Sequence, residues 1–356
     1  MAASNNPNPN LKNSQLNNLE AAYNKLKDDF EELKERFDKQ INLSNKKDNE
    51  IRELERKNDE LKDEASKYQS ALGSAINLQL SNSDENNPVS LKKDMLKLQD
   101  SLEDYITTCK GDIEINIIEI QKLLKKYESN SVVSKDQKPL IKAVLQRHVI
   151  ERIFMYGEEY FEFNNLINYK KYGCGTETYL YNKACELIKL AEVFAEKRDG
   201  VDDTTKVFPI KLRQQIYAAL GNRGFNNVIT DKKQKYSHDS INYYKKLLNK
   251  EIDKYRTFKD SERKREIEEK AGGIIQNVIS LFWFRLEVQE PIAEYIWFKY
   301  DDKIDPSYME GTWEDDEIDN IVVDICYFPL IAQEFDDKSK CQIYTKAIIL
   351  HKSKQT

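Results

Sequence analysis

The sequence predicts a mainly α-helical protein: an N-terminal coiled coil followed by an α-helical globular body with a small C-terminal β-hairpin. Three observations lead there. A heptad repeat runs unbroken near the N-terminus. Amphipathic stretches of 3.6-residue period fill most of the rest. A β-branched and aromatic run appears only near the end.

The seam of the repeat is Leu16, Leu19, Tyr23, Leu26, Phe30, Leu33, Phe37, Gln40, Ser44, Lys47, Ile51, Leu54, Asn58, Leu61, Ala65, Tyr68 and Leu72. Steps of three and four alternate without a slip, and thirteen of the seventeen positions are apolar. A helix with a 3.5-residue apolar repeat cannot bury its stripe alone, so it winds around another helix. The expected partner is a second copy, giving a homodimer, or a related coiled-coil protein. Asn58 falls at an a position, where a buried amide costs stability and fixes register. Gln40, Ser44 and Lys47 make one polar stretch in the seam. In a parallel homodimer Asp29 would attract Lys34, while Glu50 would face Glu55 and Lys57 would face Lys62. Exposed pairs are worth only tenths of a kcal/mol, so parallel, antiparallel and heterotypic pairings all stay open.

Around this arm the chain divides as follows. Residues 1–15 are a polar, Asn- and Pro-containing head expected to be disordered. The coiled-coil arm occupies 16–76, and a Ser/Asn/Asp-rich linker occupies 77–90. Residues 91–134 carry two amphipathic helices, either bridging to the body or forming its first helices. One places Leu91, Met95, Leu98, Leu102 and Tyr105 on one face. The other starts after Asp112 with Ile113, Ile117, Ile120, Leu124 and Tyr127 in step.

Residues 135–356 form the helical globular domain with an acidic C-terminal tail. Helices are expected near 138–163, 177–197, 208–220, 239–258, 262–288 and 291–300. Pro209 suits a helix start, and Gly200, Gly221 and Gly224 mark breaks. Gly272-Gly273 reads as a flexible point before the most apolar stretch, Ile274 to Val288, which is taken as the central core helix. Ile321 to Ile331, broken by Pro329, and Cys341 to Leu350 are the strands of the small hairpin.

Composition narrows the function classes. No apolar run reaches 18 residues, so no membrane partner is expected. The N-terminus lacks the charged and apolar regions of a secretory signal. Five scattered cysteines without a Cys-x-x-Cys then read as reduced thiols, in the cytoplasm or alternatively the nucleus. Three distant histidines argue against a metal site. No phosphate loop, dinucleotide fingerprint, nucleophile elbow or zinc-protease motif occurs, so no cofactor, metal or catalytic residue is assigned and the chain is read as a non-enzyme.

The net charge of −6 hides an uneven distribution. Residues 206–265 carry 16 Lys and Arg against 6 Asp and Glu, whereas residues 290–356 carry 7 against 15. Basic residues interleaved with Phe208, Tyr217, Phe225, Tyr236, Tyr243, Tyr244, Tyr255 and Phe258 are the mixture that suits single-stranded nucleic acid. The plainer reading, preferred here because no nucleic-acid-binding motif accompanies it, is a helical surface with its aromatics turned inward. Its charge would then be met by the acidic run of residues 310–324. That run, Glu314-Asp-Asp-Glu317 with Asp319 and Asp324, lacks the alternation of a calcium loop. Cys174, in Tyr172-Gly-Cys-Gly-Thr176 ahead of an expected helix, is the best single nucleophile for a cysteine hydrolase, with His148 or His238 as base. A Gly-Cys-Gly loop explains it as well. His148 is expected to be hydrogen-bonded and partly buried.

Two stretches carry a resemblance. Leu212-Arg-Gln-Gln-Ile-Tyr217 to Gly221-Asn-Arg-Gly-Phe225, and Trp313-Glu-Asp-Asp-Glu to Cys326-Tyr-Phe-Pro-Leu-Ile, resemble multi-copy uncharacterised proteins encoded by plant-symbiotic fungi. These pair a variable coiled coil with a helical C-terminal region. The resemblance covers roughly residue 98 to the end and implies no activity. It implies a body used repeatedly behind different coils, as an interaction module is. The resulting expectation is an oligomeric coiled-coil adaptor or scaffold presenting a helical protein-interaction domain. A nucleic-acid-associated protein using 206–265 is the alternative, and a Cys174 hydrolase the second alternative.

Overall fold

A computed structural model describes residues 9–76, 80, 84–106, 113–162, 175–200, 202–229, 232–314, 316–337 and 340–354. The chain is mainly α-helical and separates into two units, Met1–Ala75 and Ile76–Thr356.

The described residues of the first unit form one helix, α1, Pro9–Ile76, whose last residue opens the second unit. No Pro or Gly interrupts residues 10–72, and Leu, Lys and Glu, all strong helix formers, dominate. At 1.5 Å per residue its 68 residues reach roughly 100 Å.

The second unit is built on buried helix faces. In α2 (Pro88–Ile106), Leu91, Met95, Leu98, Leu102, Tyr105 and Ile106 are at most 1% exposed. Residues 91–106, expected to bridge to the body or to open it, are thus part of its core. Strand β1 (Ile113–Ile115) and helix α3 (Ile117–Lys126) follow. The expected helix after Asp112 is corrected here. Ile113 lies in a strand, and the side chain of Asn116 accepts from the Glu119 amide at 3.3 Å to start the helix four residues later than Ile113 implied.

Helices α4 (Lys138–Glu162), α5 (Thr176–Lys197), α6 (Asp203–Arg223), α7 (Asp239–Ile252) and α8 (Ser261–Ile279) complete the bundle. Two expected boundaries move and one expected break is absent. α6 starts at Asp203, not near Pro209, because Asp202 caps it by accepting from the Thr205 amide at 2.7 Å. α7 stops at Ile252, not 258, because Arg256–Phe258 become strand β4, paired antiparallel with β1. Gly272 and Gly273 lie inside α8 and do not break it.

α8 runs into a single π-helical stretch, Ser280–Arg285, which aims Leu281, Phe282 and Phe284 into the core. Ser280 donates to the Gly221 carbonyl at 2.6 Å, and the absence of a side chain at Gly221 lets α6 approach Phe284 and Arg285. Short strands β2 (Val228–Ile229) and β3 (Lys235–Tyr236) pair with each other between α6 and α7.

The expected helix at 291–300 is also corrected. Its residues Ala293–Ile296 are strand β5, which finds a pairing partner downstream. The C-terminal region holds β6 (Met309–Glu310), β7 (Ile321–Phe328), β8 (Leu330–Gln333), β9 (Gln342–Thr345) and β10 (Ala347–Ser353). In place of one small hairpin these form two three-stranded sheets, ordered β6-β10-β7 and β5-β8-β9. β10 runs antiparallel to β7 (Ile348 opposite Phe328) and parallel to β6 (Ala347 opposite Met309). Pro329 lies where the chain passes from one sheet to the other, a position at which no ladder donor is lost.

Candidate functional site

The predicted seam is the first candidate. Leu26, Phe30, Leu33, Phe37, Ile51, Leu54 and Leu61 are 52–69% exposed in the single chain, and Asn58 is exposed with them. The side chains of Leu16, Leu19, Tyr23, Ala65, Tyr68 and Leu72 lie outside the described residues. Ile41 and Leu43, flanking the polar stretch, are exposed as well. Scattered exposed apolar residues are ordinary, whereas these large side chains form a continuous stripe along one helix.

The basic segment 206–265 turns most of its aromatics inward. Tyr217, Phe225, Tyr244 and Tyr255 are buried, whereas Phe208 and Tyr236 are about half exposed. Arg256 is buried against the rings of Tyr105 and Phe258. Arg213 pairs with Glu290, Lys245 with Glu269, Lys254 with Glu251, and Lys264 with Asp253 and Glu268. The expectation that residues 310–324 meet this charge does not hold. Glu314, Asp316, Glu317 and Asp319 are exposed and form no ion pair among the described residues. Asp324 is instead buried on β7, accepting from the Ser129 hydroxyl at 2.6 Å and the Ser131 hydroxyl at 2.8 Å.

A polar network missed by the sequence reading links α3, α4, α7 and the sheet. His148 on α4 is buried, with Nε2 3.1 Å from Glu251 Oε1 and Nδ1 3.2 Å from the Tyr127 hydroxyl. Tyr127 donates to Glu151 at 2.9 Å, and Arg147 Nε donates to the same carboxylate at 2.6 Å. Burial lowers the His148 pKa, outweighing its bond to Glu251. Burial opposes ionisation of Glu251, but bonds from Lys254 and His148 win and bring its pKa down to about 2. The guanidinium of Arg147 stacks 3.4 Å over the Trp297 ring and donates to the Cys326 carbonyl at 3.2 Å. Of these groups Tyr127, Arg147 and Trp297 wall a cleft of about 260 Å³ with Lys126, Lys299, Tyr300 and Asp324. Cys326 lines it too. Its thiol donates to the Phe328 carbonyl at 3.3 Å, and burial pushes its pKa up to about 12, so it is a protonated thiol at neutral pH. Tyr127, Arg147, Trp297 and Asp324 come from four separate stretches, and no spacing in the sequence foretold their meeting.

Cys174 lies outside the described residues. Of its two candidate bases, His148 is engaged as above, and His238 is buried with Nε2 2.8 Å from Glu177 Oε1. Among the described residues no group of three or more His, Cys, Asp or Glu side chains is placed to hold a metal ion. Nor is any helix among them long and apolar enough to cross a membrane. Comparison of the chain with protein-family models, curated proteins and solved structures finds no match.

Proposed function

We propose that this chain is an oligomeric adaptor. The arm, residues 16–76, associates with a second copy of itself, and the helical body, residues 135–356 with the helices before it, presents a surface to a protein partner. The observation that carries this reading is the exposed apolar seam of α1. Burying a Leu or Phe side chain yields roughly 1.5–3 kcal/mol. The seven described seam residues of each of two chains therefore suffice against the roughly 4–15 kcal/mol lost on association. Coupling two bodies converts a second weak contact into an intramolecular one and raises avidity. A cytoplasmic setting accords with the three described cysteines, Cys185, Cys326 and Cys341, all of them free.

The test compares the full chain with a Leu33→Asp/Leu54→Asp variant. The variant should sediment at half the mass of the parent, melt its body at the same temperature, and lose partner recovery. Replacing residues 9–76 with a foreign zipper should restore both mass and recovery. A variant that keeps the parental mass would refute the seam as the contact.

A further inference from the structure

We infer that two arms pair antiparallel about a two-fold axis at residue 42, so that the whole of α1 overlaps its copy in reverse. This rests on the proposal that the arm self-associates, and names the geometry of that association. In the seam register, Leu16, Tyr23 and Phe30 begin the a positions and Leu19, Leu26 and Leu33 the d positions. A partner running in reverse sets each a level against a d, each e against an e, and each g against a g. Charges at e and g must then change sign when the sequence is read backwards.

They do. Along e the chain reads Glu20, Lys27, Lys34, Ile41, Asp48, Glu55, Lys62. About Ile41 this gives Glu20 with Lys62, Lys27 with Glu55, and Lys34 with Asp48. Along g it reads Asp29, Arg36, Leu43, Glu50, Lys57. About Leu43 this gives Asp29 with Lys57 and Arg36 with Glu50. Five complementary pairs result, each formed twice by symmetry, and no like pair. A parallel dimer sets each g against the e five residues on. It then keeps Asp29 with Lys34 and brings Glu50 to Glu55 and Lys57 to Lys62. Moving the axis half a heptad toward the C-terminus sets Lys27 on Lys62 and Arg36 on Lys57. Moving it toward the N-terminus sets Glu20 on Glu55 and Asp29 on Glu50. Single exposed pairs are weak, so their number and consistency select the register.

Two further observations fall on the same axis. α1 runs from Pro9 to Ile76, so an axis at residue 42 overlaps the two helices end to end. Ile41 and Leu43 are the large apolar residues at e and g, and both are exposed in the single chain. They flank the polar Gln40 and Ser44 of the seam, and about this axis they meet their own copies where the seam is poorest. Phe30 falls at the level of Leu54, and Ile51 at that of Leu33. Asn58 falls at the level of Leu26 and Lys47 at that of Phe37, the two layers that set a polar side chain against an apolar one. The two Ile76 ends stand roughly 100 Å apart, so the pair ties together two separated sites.

The experiment places nitroxides on the full chain through a genetically encoded ketone, which leaves the native cysteines untouched. Spin-echo distances are read for labels at Asn42 and at Ala21, both at outward f positions. Asn42 labels should lie roughly 20–25 Å apart, given helix axes about 10 Å apart. Ala21 stands at the level of Asp63 of the other copy, so its labels should lie roughly 60–65 Å apart at 1.5 Å per residue. A close pair at both sites overturns the antiparallel register and leaves the self-association standing. No interchain distance at Asn42 overturns both. As a second readout, Glu50→Lys should weaken the dimer roughly three- to tenfold, and adding Arg36→Glu should restore it. Tighter association of Glu50→Lys alone overturns the proposal.

Discussion

Phe284 is the side chain on which the body's packing most visibly converges, and its removal has a calculable cost. It is fully buried on the π-helical stretch. Its ring centroid lies 5.5 Å from Phe161, 6.2 Å from Tyr181, 6.3 Å from Tyr217 and 6.5 Å from Phe225, so it joins α4, α5, α6 and the segment before β2. Phe284→Ala should cost about 4 kcal/mol, the mid-range for a buried Phe. An unfolding entropy of about 2.1 cal/mol/K per residue over the unit Ile76–Thr356 comes to about 0.6 kcal/mol/K, so the midpoint should drop by about 7 °C. Tryptophan fluorescence is the assay, because Trp283, Trp297 and Trp313 all lie in this unit and the arm has none. Phe284→Leu should recover most of the loss. An alanine variant melting within about 2 °C of the parent would refute the reasoning.

The glycines give opposite signs. A Cβ at Gly157 would stand 2.7–2.9 Å from three atoms of the Trp283 indole, so Gly157→Ala should cost about 1–3 kcal/mol and shift the tryptophan emission. A Cβ at Gly273 would meet nothing within 4 Å in the interior of α8, so Gly273→Ala should raise the melting temperature, by up to about 1 kcal/mol of stability. Acid should weaken the body through its polar network. His148, with a lowered pKa, contributes fully above about pH 6.5 and loses its contribution as pH falls. Glu251 contributes fully above about pH 4.5 and loses its contribution as pH falls toward its folded pKa of about 2. Glu251→Gln should therefore flatten the melting-temperature curve between about pH 4.5 and 2, as read by the same fluorescence.

The parts of the fold visible in the sequence are those set by local periodicity. α2 and α5 each bury one stripe of their own residues, as their spacing implies, while α4 is enclosed on nearly every side, with Leu140, Ile141 and 143–146 all buried. Where a distant partner decides, the sequence misleads. Ile113–Ile115 and Arg256–Phe258 both sit in helical patterns, yet pair with each other across the chain. Ala293–Ile296 is a strand because β8 is there to receive it. Pro209 has the chemistry of a helix start, but the helix begins six residues earlier, at Asp203, where the Asp202 carboxylate accepts from the Thr205 amide and the Asp202 carbonyl from the Lys206 amide. The apolar stripe of α1 is legible for the same local reason as α2. The Arg147–Trp297 stack and the Asp324 carboxylate beneath Ser129 and Ser131 are not legible, since nothing links those positions until the sheet has formed.

The most direct measurement is the mass of the full chain in solution, by sedimentation equilibrium from one to fifty micromolar. Association through α1 predicts a particle of twice the 41.8 kDa chain, reverting to one chain when Leu33 and Leu54 become Asp. A particle of 41.8 kDa across that range would contradict it.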